Sequence, residues 1–168
     1  MNVLIILLGL VTPTQAAVAP SGLNPDKVFS VGHKKAKNYI RDGLFVGGDA
    51  TVDDVTVKDI RFAKNLEYER IVLDLPVAAT QAPYFQVDVS PEMSRIVVTV
   101  FGKIKQGFDP KLVARAFGKS AFVQSIELLP QLEKDRWTFA LHLKEKKRPQ
   151  VEVFDLNQPV RAILDLKP

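Results

Sequence analysis

The sequence predicts an all-β fold with one short connecting helix, in which two pseudo-symmetric four-stranded sheets pack as a sandwich. Three observations predict this class. The stretches "ERIVLDLP" (69–76) and "VRAILDLKP" (160–168) share one pattern of arginine, aliphatic residues and Asp-Leu. Apolar and polar residues alternate along several segments, which is the period of a strand with one buried face. The chain also aligns with itself when it is shifted by 66 positions.

The self-alignment places Ile60 on Ile126 and runs without a gap to the last residue. A single duplication is too short for a solenoid, so it predicts a pseudo-twofold domain made of units 55–102 and 121–168. The identical pairs include Val57 with Val123, Leu66 with Leu132, Glu67 with Glu133, Arg70 with Arg136, Leu75 with Leu141, Pro83 with Pro149, Val87 with Val153, and Arg95 with Arg161.

Each unit is predicted to contain four strands. In the second unit, Trp137 and every second residue after it to Leu143 are apolar, so one face of that strand is buried. The sequences "SPEM" and "NQP" supply turn residues between paired strands. The predicted strands are 55–62, 70–75, 84–89, 94–101, 123–128, 136–143, 150–156 and 160–166.

A short helix is predicted over about 109–118, between the units. Asp109 can cap it, Pro110 suits the first helical position, and Gly118 suits its end. The apolar stripe of this helix would consist of Leu112, Val113, Ala116 and Phe117. Residues 17–54 form an N-terminal arm without a clear strand pattern.

The first residues predict a cleaved signal peptide over 1–16. The apolar run "VLIILLGLV" is followed by Thr14-Gln15-Ala16, small residues of the kind that a signal peptidase reads. Nine apolar residues are too few to cross a bilayer, which needs about 20. The expectation is therefore a mature chain that begins near Ala17, has no membrane span and works in the periplasm.

Composition restricts the possible partners and chemistry. The net charge is +4, but 23 basic residues are interspersed with 19 acidic ones, so no nucleic-acid partner is predicted. The chain has no cysteine, which excludes disulfides, thiolate metal sites and cysteine nucleophiles.

The sequence predicts no enzyme and no cofactor. Its two histidines, His33 and His142, have no carboxylate at a ligand spacing, and neither a nucleophile elbow nor a phosphate loop is present. The acidic run 49–54 lacks the glycine and the glutamate that a calcium loop requires, so it is interpreted as a solvated loop without metal.

The candidate ligand-binding residues are duplicated arginines and their neighbours. The arginines could pair across the sheet with carboxylates such as Asp74, Asp165 or Glu67, or they could donate to carboxylates of a ligand. Tyr68, Tyr84 and Phe85 could stack on sugar rings or pack against the core. The candidate set is Arg70, Asp74, Arg95, Arg136, Arg161, Asp165, Tyr68 and Tyr84.

Residues 55–168 resemble the AMIN domain, a periplasmic module of two symmetrical β-sheets found in cell-wall amidases and pilus secretins. The similarity lies in "ERIVLDLP", "YFQVDVSPEMSRIVVTVFG", "DRWTFALHL" and "VFDLNQPVRAILDLKP". The resemblance implies attachment to peptidoglycan. Its motif falls on Arg70, Leu73, Asp74 and Leu75, and on Arg161, Leu164, Asp165 and Leu166; the middle copies depart from it, with Ala140 and Thr99 in place of aspartate.

Two functions are therefore expected. The first is a non-catalytic exported module that binds peptidoglycan of the bacterial cell wall. The alternative is a periplasmic protein-interaction adaptor of an envelope assembly, in which an edge strand, such as the one that ends at Pro168, accepts a strand of a partner protein.

Overall fold

The structure, a computed structural model, describes residues 24–48, 54–76, 81–131 and 135–168. The predicted signal peptide and most of the acidic run 49–54 lie outside these residues. Within them the chain is mainly β, as the sequence predicts. The strands are β1 (Val28–Ser30), β2 (Gly43–Gly47), β3 (Asp54–Val57), β4 (Asp59–Lys64), β5 (Glu69–Asp74), β6 (Phe85–Ser90), β7 (Arg95–Phe101), β8 (Lys103–Gln106), β9 (Val123–Leu128), β10 (Arg136–Leu143), β11 (Gln150–Asn157) and β12 (Val160–Lys167).

Three sheets form from these strands. A six-stranded sheet has the order β1-β2-β6-β7-β10-β9, a four-stranded sheet has the order β11-β12-β5-β4, and β3 pairs with β8 in a two-stranded ribbon. The first sheet has two more strands than expected because the N-terminal arm supplies β1 and β2. Gly43–Gly47 pairs antiparallel with β6 and buries Phe45, so the arm is part of the sheet.

The predicted strand 55–62 is two strands in different sheets. Val55 and Val57 are fully buried on odd positions, whereas Ile60 is buried on an even position. One strand cannot bury both sets, since alternate residues point to opposite faces. The chain therefore passes from one sheet to another at Lys58: β3 joins β8 and β4 joins the edge of the four-stranded sheet.

The two main sheets have related strand orders. A shift of 66 relates four pairs of strands: β4 and β9, β5 and β10, β6 and β11, and β7 and β12. When the strands of each pair are exchanged, the order β6-β7-β10-β9 becomes β11-β12-β5-β4. The hairpins β6–β7 and β11–β12 also share the register that a shift of 66 predicts. Arg70 faces Asp165 of β12, and a shift of 66 relates these two residues to Arg136 and Thr99. Thr99 of β7, however, faces Thr138, so β10 is displaced by two residues from the gap-free alignment. The duplication itself stays a prediction.

The inner faces of the sheets form one hydrophobic core. Trp137 and Phe139 of β10, with ring centroids 5.4 Å apart, meet aliphatic side chains of β5 and β12 such as Leu73 and Leu164 there. Burial of these apolar surfaces is the main source of stability in a chain without disulfides.

The single α-helix among the described residues, α1 (Pro110–Phe117), forms as predicted. The Lys111 N–H donates to the Asp109 carboxylate at 2.8 Å, so this side chain caps the helix. Val113 and Phe117 are buried, and the Phe117 ring lies 5.6 Å from that of Phe62 on β4. Leu112 departs from the predicted stripe, because its side chain is 58% exposed.

Candidate functional site

The repeated Arg-aliphatic-Asp-Leu pattern forms two reciprocal ion pairs. β5 and β12 are antiparallel neighbours, with Arg70 opposite Asp165 and Arg161 opposite Asp74. In both strands the aspartate follows the arginine by four positions. Antiparallel pairing therefore brings each arginine to the aspartate of the other strand, and all four side chains point away from the core.

Asp165 is the buried centre of the first pair. Arg70 donates to both of its carboxylate oxygens, from Nε at 2.7 Å and from Nη2 at 2.8 Å. Lys35 of the N-terminal arm donates to the same carboxylate at 2.5 Å. The Asp165 side chain is fully buried, whereas Arg70 is 27% exposed. A bidentate contact of this kind is among the strongest hydrogen-bonded pairs in proteins.

The second pair is more open and also has a third member. Asp74 accepts from Arg161 Nε at 2.8 Å, and from Nε and Nη2 of Arg61 on β4 at 2.7 and 2.9 Å. The Asp74 side chain is 18% exposed and its two arginines are 33% and 46% exposed. Both arginine side chains thus stay partly in contact with solvent.

Two tyrosines, Tyr39 and Tyr68, lie beside the cations that bind Asp165. The Lys35 ammonium lies 3.9 Å from the centre of the Tyr68 ring and 5.6 Å from that of Tyr39, and the Arg70 guanidinium lies 5.0 Å from Tyr68. These distances are within the range of cation–π attraction. We call the whole surface the ion-pair face; it consists of Lys35, Tyr39, Arg61, Tyr68, Arg70, Asp74, Arg161, Asp165 and Lys167.

The ion-pair face raises the pKa of three of its members. Burial lowers the pKa of Lys35, but its hydrogen bonds with Asp165 and Tyr39 outweigh that effect and leave the pKa above the usual 10.5. The pKa of Tyr39 is raised above 10.0 mainly because the ring is partly buried. The hydrogen bond with Asp165 is the main cause of the raised pKa of Arg70.

Lys35 should therefore stabilise the fold only while it is protonated. A lysine whose pKa is raised on folding contributes stability below its unfolded pKa and loses it as the pH rises through the folded value. We expect Lys35→Met to lower the free energy of unfolding by about 1–2 kcal/mol at about pH 8, and the difference from wild type to shrink towards pH 12.

Urea unfolding at a series of pH values measures this difference. Lys119→Met, which changes an exposed lysine in the turn after α1, is the matched control, and its small effect should not vary with pH. A Lys35→Met effect of equal size at both ends of the pH range would mean that the contact is not electrostatic.

The other two candidate arginines lie on the outer face of the six-stranded sheet, away from the ion-pair face. Arg95 pairs with His142 in the β7–β10 ladder, and Arg136 pairs with Phe101 at the far end. Thr99 and Thr138, which hydrogen-bond at 3.1 Å, stand where the four-stranded sheet has Asp165 and Arg70. At the positions of one reciprocal ion pair, the six-stranded sheet therefore has a hydrogen bond between two threonines.

The remaining aromatic candidates differ in exposure. Tyr84 is half-buried against Phe101, with ring centroids 4.9 Å apart, and Gln86 donates to its hydroxyl at 3.0 Å. Phe85 is fully buried in the core, so it packs and cannot stack on a ligand. Tyr68 is the one predicted aromatic that lies beside the paired arginines.

The two histidines contact different sheets. His33 hydrogen-bonds to the buried carboxylate of Asp155 at 2.8 Å, and His142 contacts Glu127 at 2.7 Å across β9 and β10. Within the described part of the chain, no group of three His, Cys, Asp or Glu residues could hold a metal ion.

Sequence reasoning missed the contribution of the arm and of β4. Lys35 and Tyr39 lie in a segment without strand pattern, and Arg61 lies on the strand whose bounds were wrong. Glu152 was also missed; its side chain is 2% exposed and one carboxylate oxygen accepts from the backbone N–H groups of Ala36, Lys37 and Asn38. The only sequence signal was the cluster of basic and aromatic residues in "HKKAKNYIRDG".

The strand that ends at Pro168 is not an edge strand, which corrects the prediction made for the adaptor. β12 lies between β11 and β5 and is hydrogen-bonded on both sides. Its backbone groups are therefore already paired and cannot accept a partner strand.

The described residues include no helix with the length and apolar character needed to span a bilayer. No protein-family model matches the chain, and no curated protein is significantly similar to it.

Proposed function

We propose that this protein is a non-catalytic, exported module that attaches to peptidoglycan through the ion-pair face. Peptidoglycan consists of glycan strands that carry short peptides, and it therefore presents both sugar rings and carboxylates. The proposal is supported by the predicted signal peptide, by the resemblance of residues 55–168 to the AMIN domain, and by the chemistry of this face.

The observation that carries the proposal is the positive charge of the face. Two carboxylates, Asp74 and Asp165, accept from four cations, and Lys167 adds a fifth cation that is exposed. Two further carboxylates lie nearby: Glu152, on the neighbouring strand, accepts from the arm, and Asp59 stands opposite Asp74, so five cations still exceed four carboxylates. Cations that exceed the carboxylates they contact can also attract the carboxylates of a polymer.

The geometry of the arginines suits such a polymer. The Arg161 hydrogen bond to Asp74 uses Nε, and those of Arg70 to Asp165 use Nε and Nη2. A guanidinium has five N–H donors in a fixed plane, so the remaining donors keep a fixed direction while the aspartate holds the side chain. The aspartates therefore orient the arginines and leave donors for a ligand.

Lys167 offers a test that leaves the buried pairs intact. It is exposed, and its ammonium lies 5.4 Å from the centre of the Tyr39 ring. We expect Lys167→Glu to weaken binding to purified sacculi on the order of tenfold at low salt, because the variant replaces an attraction by a repulsion. Co-sedimentation of the purified protein with sacculi, over a range of sacculus concentrations, measures the affinity.

Lys119→Glu makes the same charge change at an exposed position outside the ion-pair face, so it controls for net charge. Its binding should stay within about twofold of wild type. The proposal fails if the wild-type protein stays in the supernatant at both low and moderate salt, or if the two variants bind equally well.

A further inference from the structure

The geometry points to a second site: a cavity between the N-terminal arm and β11 that binds a small molecule with a primary ammonium group and an apolar body. The cavity adjoins the ion-pair face and shares Tyr39 with it, but the inference does not depend on the proposed attachment to peptidoglycan. The carboxylate of Glu152 is the group that would accept the ammonium.

The cavity has a volume of about 490 Å³. This volume is within the range of small-molecule sites, which are mostly apolar with a few polar groups. Phe29, Tyr39, Ile40 and Phe45 line it on its apolar side. The rings of Phe29 and Phe45 lie 5.8 Å apart, and aromatic rings attract a cation as well as an apolar group.

Glu152 also lines this cavity, and half of its carboxylate lacks a partner. One oxygen, Oε1, accepts from three successive backbone N–H groups of the arm, at 2.8 Å from Ala36 and 3.3 Å from Asn38. The other, Oε2, is buried and has no hydrogen-bond partner among the described residues. A buried acceptor without a donor is rare and costs free energy, so a ligand that supplies the donor is stabilised.

Charge favours a cationic donor over a neutral one. Glu152 stands directly opposite Asp165 in the β11–β12 ladder, and like charges in that position repel each other. Asp165 has two cationic partners, Lys35 and Arg70, whereas the donors to Glu152 among the described residues are neutral backbone N–H groups. Lys34 also lines the cavity, but it is exposed and can point its ammonium into solvent.

The ligand reaches Oε2 when the arm shifts. Oε2 is closed off from solvent, and the segment that donates to Oε1, Ala36 to Asn38, is exposed; Lys37 has a positive φ of 63°. A non-glycine residue in this conformation is held at some cost in free energy. Because its three residues are exposed, a small displacement of this segment would uncover Glu152 and not the hydrophobic core.

Titration with 2-phenylethylammonium, followed by NMR of the protein amides, tests the site. We expect saturable binding in the millimolar range or tighter, with shifts at Phe29, Tyr39 and Glu152. Glu152→Gln keeps the acceptor for the three N–H groups but loses the charge, and it should weaken binding about tenfold. Glu145→Gln, at an exposed turn position, is the matched control and should bind like wild type.

A second variant and a second probe keep the test decisive. Asn38→Trp retains the backbone N–H and fills the cavity from its rim, so it should abolish binding even if Glu152→Gln folds poorly. The anion 3-phenylpropionate, of similar shape, should bind much more weakly than the ammonium. Equal binding of the two probes, equal binding by wild type and Glu152→Gln, or no binding by wild type would each overturn the inference. Co-sedimentation of Glu152→Gln with sacculi should be unchanged, which separates this site from the ion-pair face.

Discussion

Replacing Asp165 by asparagine is expected to lower the free energy of unfolding by about 3 kcal/mol. Asp165 is fully buried and is the shared acceptor of Arg70 and Lys35. The substitution keeps the size of the side chain but removes the negative charge, and it leaves two cations without a counter-ion. Urea unfolding followed by circular dichroism, at neutral pH, measures the change.

Asp74→Asn is the matched control, because Asp74 has the same reciprocal position in the motif but is 18% exposed. Water can solvate the arginines that this substitution releases, so its effect should be only about 1 kcal/mol. The triple variant Lys35→Met, Arg70→Met and Asp165→Leu should recover much of the loss, since three apolar side chains need no counter-ion. If Asp165→Asn and Asp74→Asn destabilise equally, burial does not set the strength of these pairs.

Phe139→Ala is expected to lower the free energy of unfolding by about 3–5 kcal/mol. Phe139 is fully buried on the inner face of β10, beside Trp137, where the two main sheets meet. Removing the ring loses its apolar burial and leaves a space that rigid strands on both sides cannot fill. The single tryptophan of the chain remains, so its fluorescence reports the unfolding transition.

Leu66→Ala provides the comparison at the surface. Leu66 is fully exposed in the turn between β4 and β5, so its substitution should change stability by less than about 0.5 kcal/mol. A Phe139→Ala variant that is as stable as Leu66→Ala would show that the inner face of β10 does not form the core.

The positions of most strands could be predicted from the sequence. Alternation of apolar and polar residues is a local property, and it gives the bounds of β9 and β10 as observed. The helix was also predictable, because capping by Asp109 and the proline after it act within one turn. Where the alternation slipped by one residue, at Lys58, the prediction joined two strands that belong to different sheets.

Whether the candidate arginines pair with aspartates depends on the pairing of strands that are distant in sequence. The sequence shows that Arg70, Asp74, Arg161 and Asp165 repeat, but both pairing and free guanidinium groups were compatible with that repeat. Antiparallel pairing of β5 with β12 selects the ion pairs, because this register places each arginine opposite an aspartate. In the six-stranded sheet, β10 is displaced by two residues. Arg136 therefore lies opposite Phe101, and Thr138 takes the position that corresponds to Arg70.

The sequence by itself thus determined most of the elements: eight segments with strand patterns, one capped helix, and a repeated pattern of arginine and aspartate. Only the tertiary structure decided which charges meet. A strand's own residues set which of its faces is buried, whereas its neighbour and its register are set by the packing of the whole core. For the same reason the arm, whose residues show no regular pattern, brings Lys35 to Asp165 and Ala36 to Glu152 from more than 100 positions away.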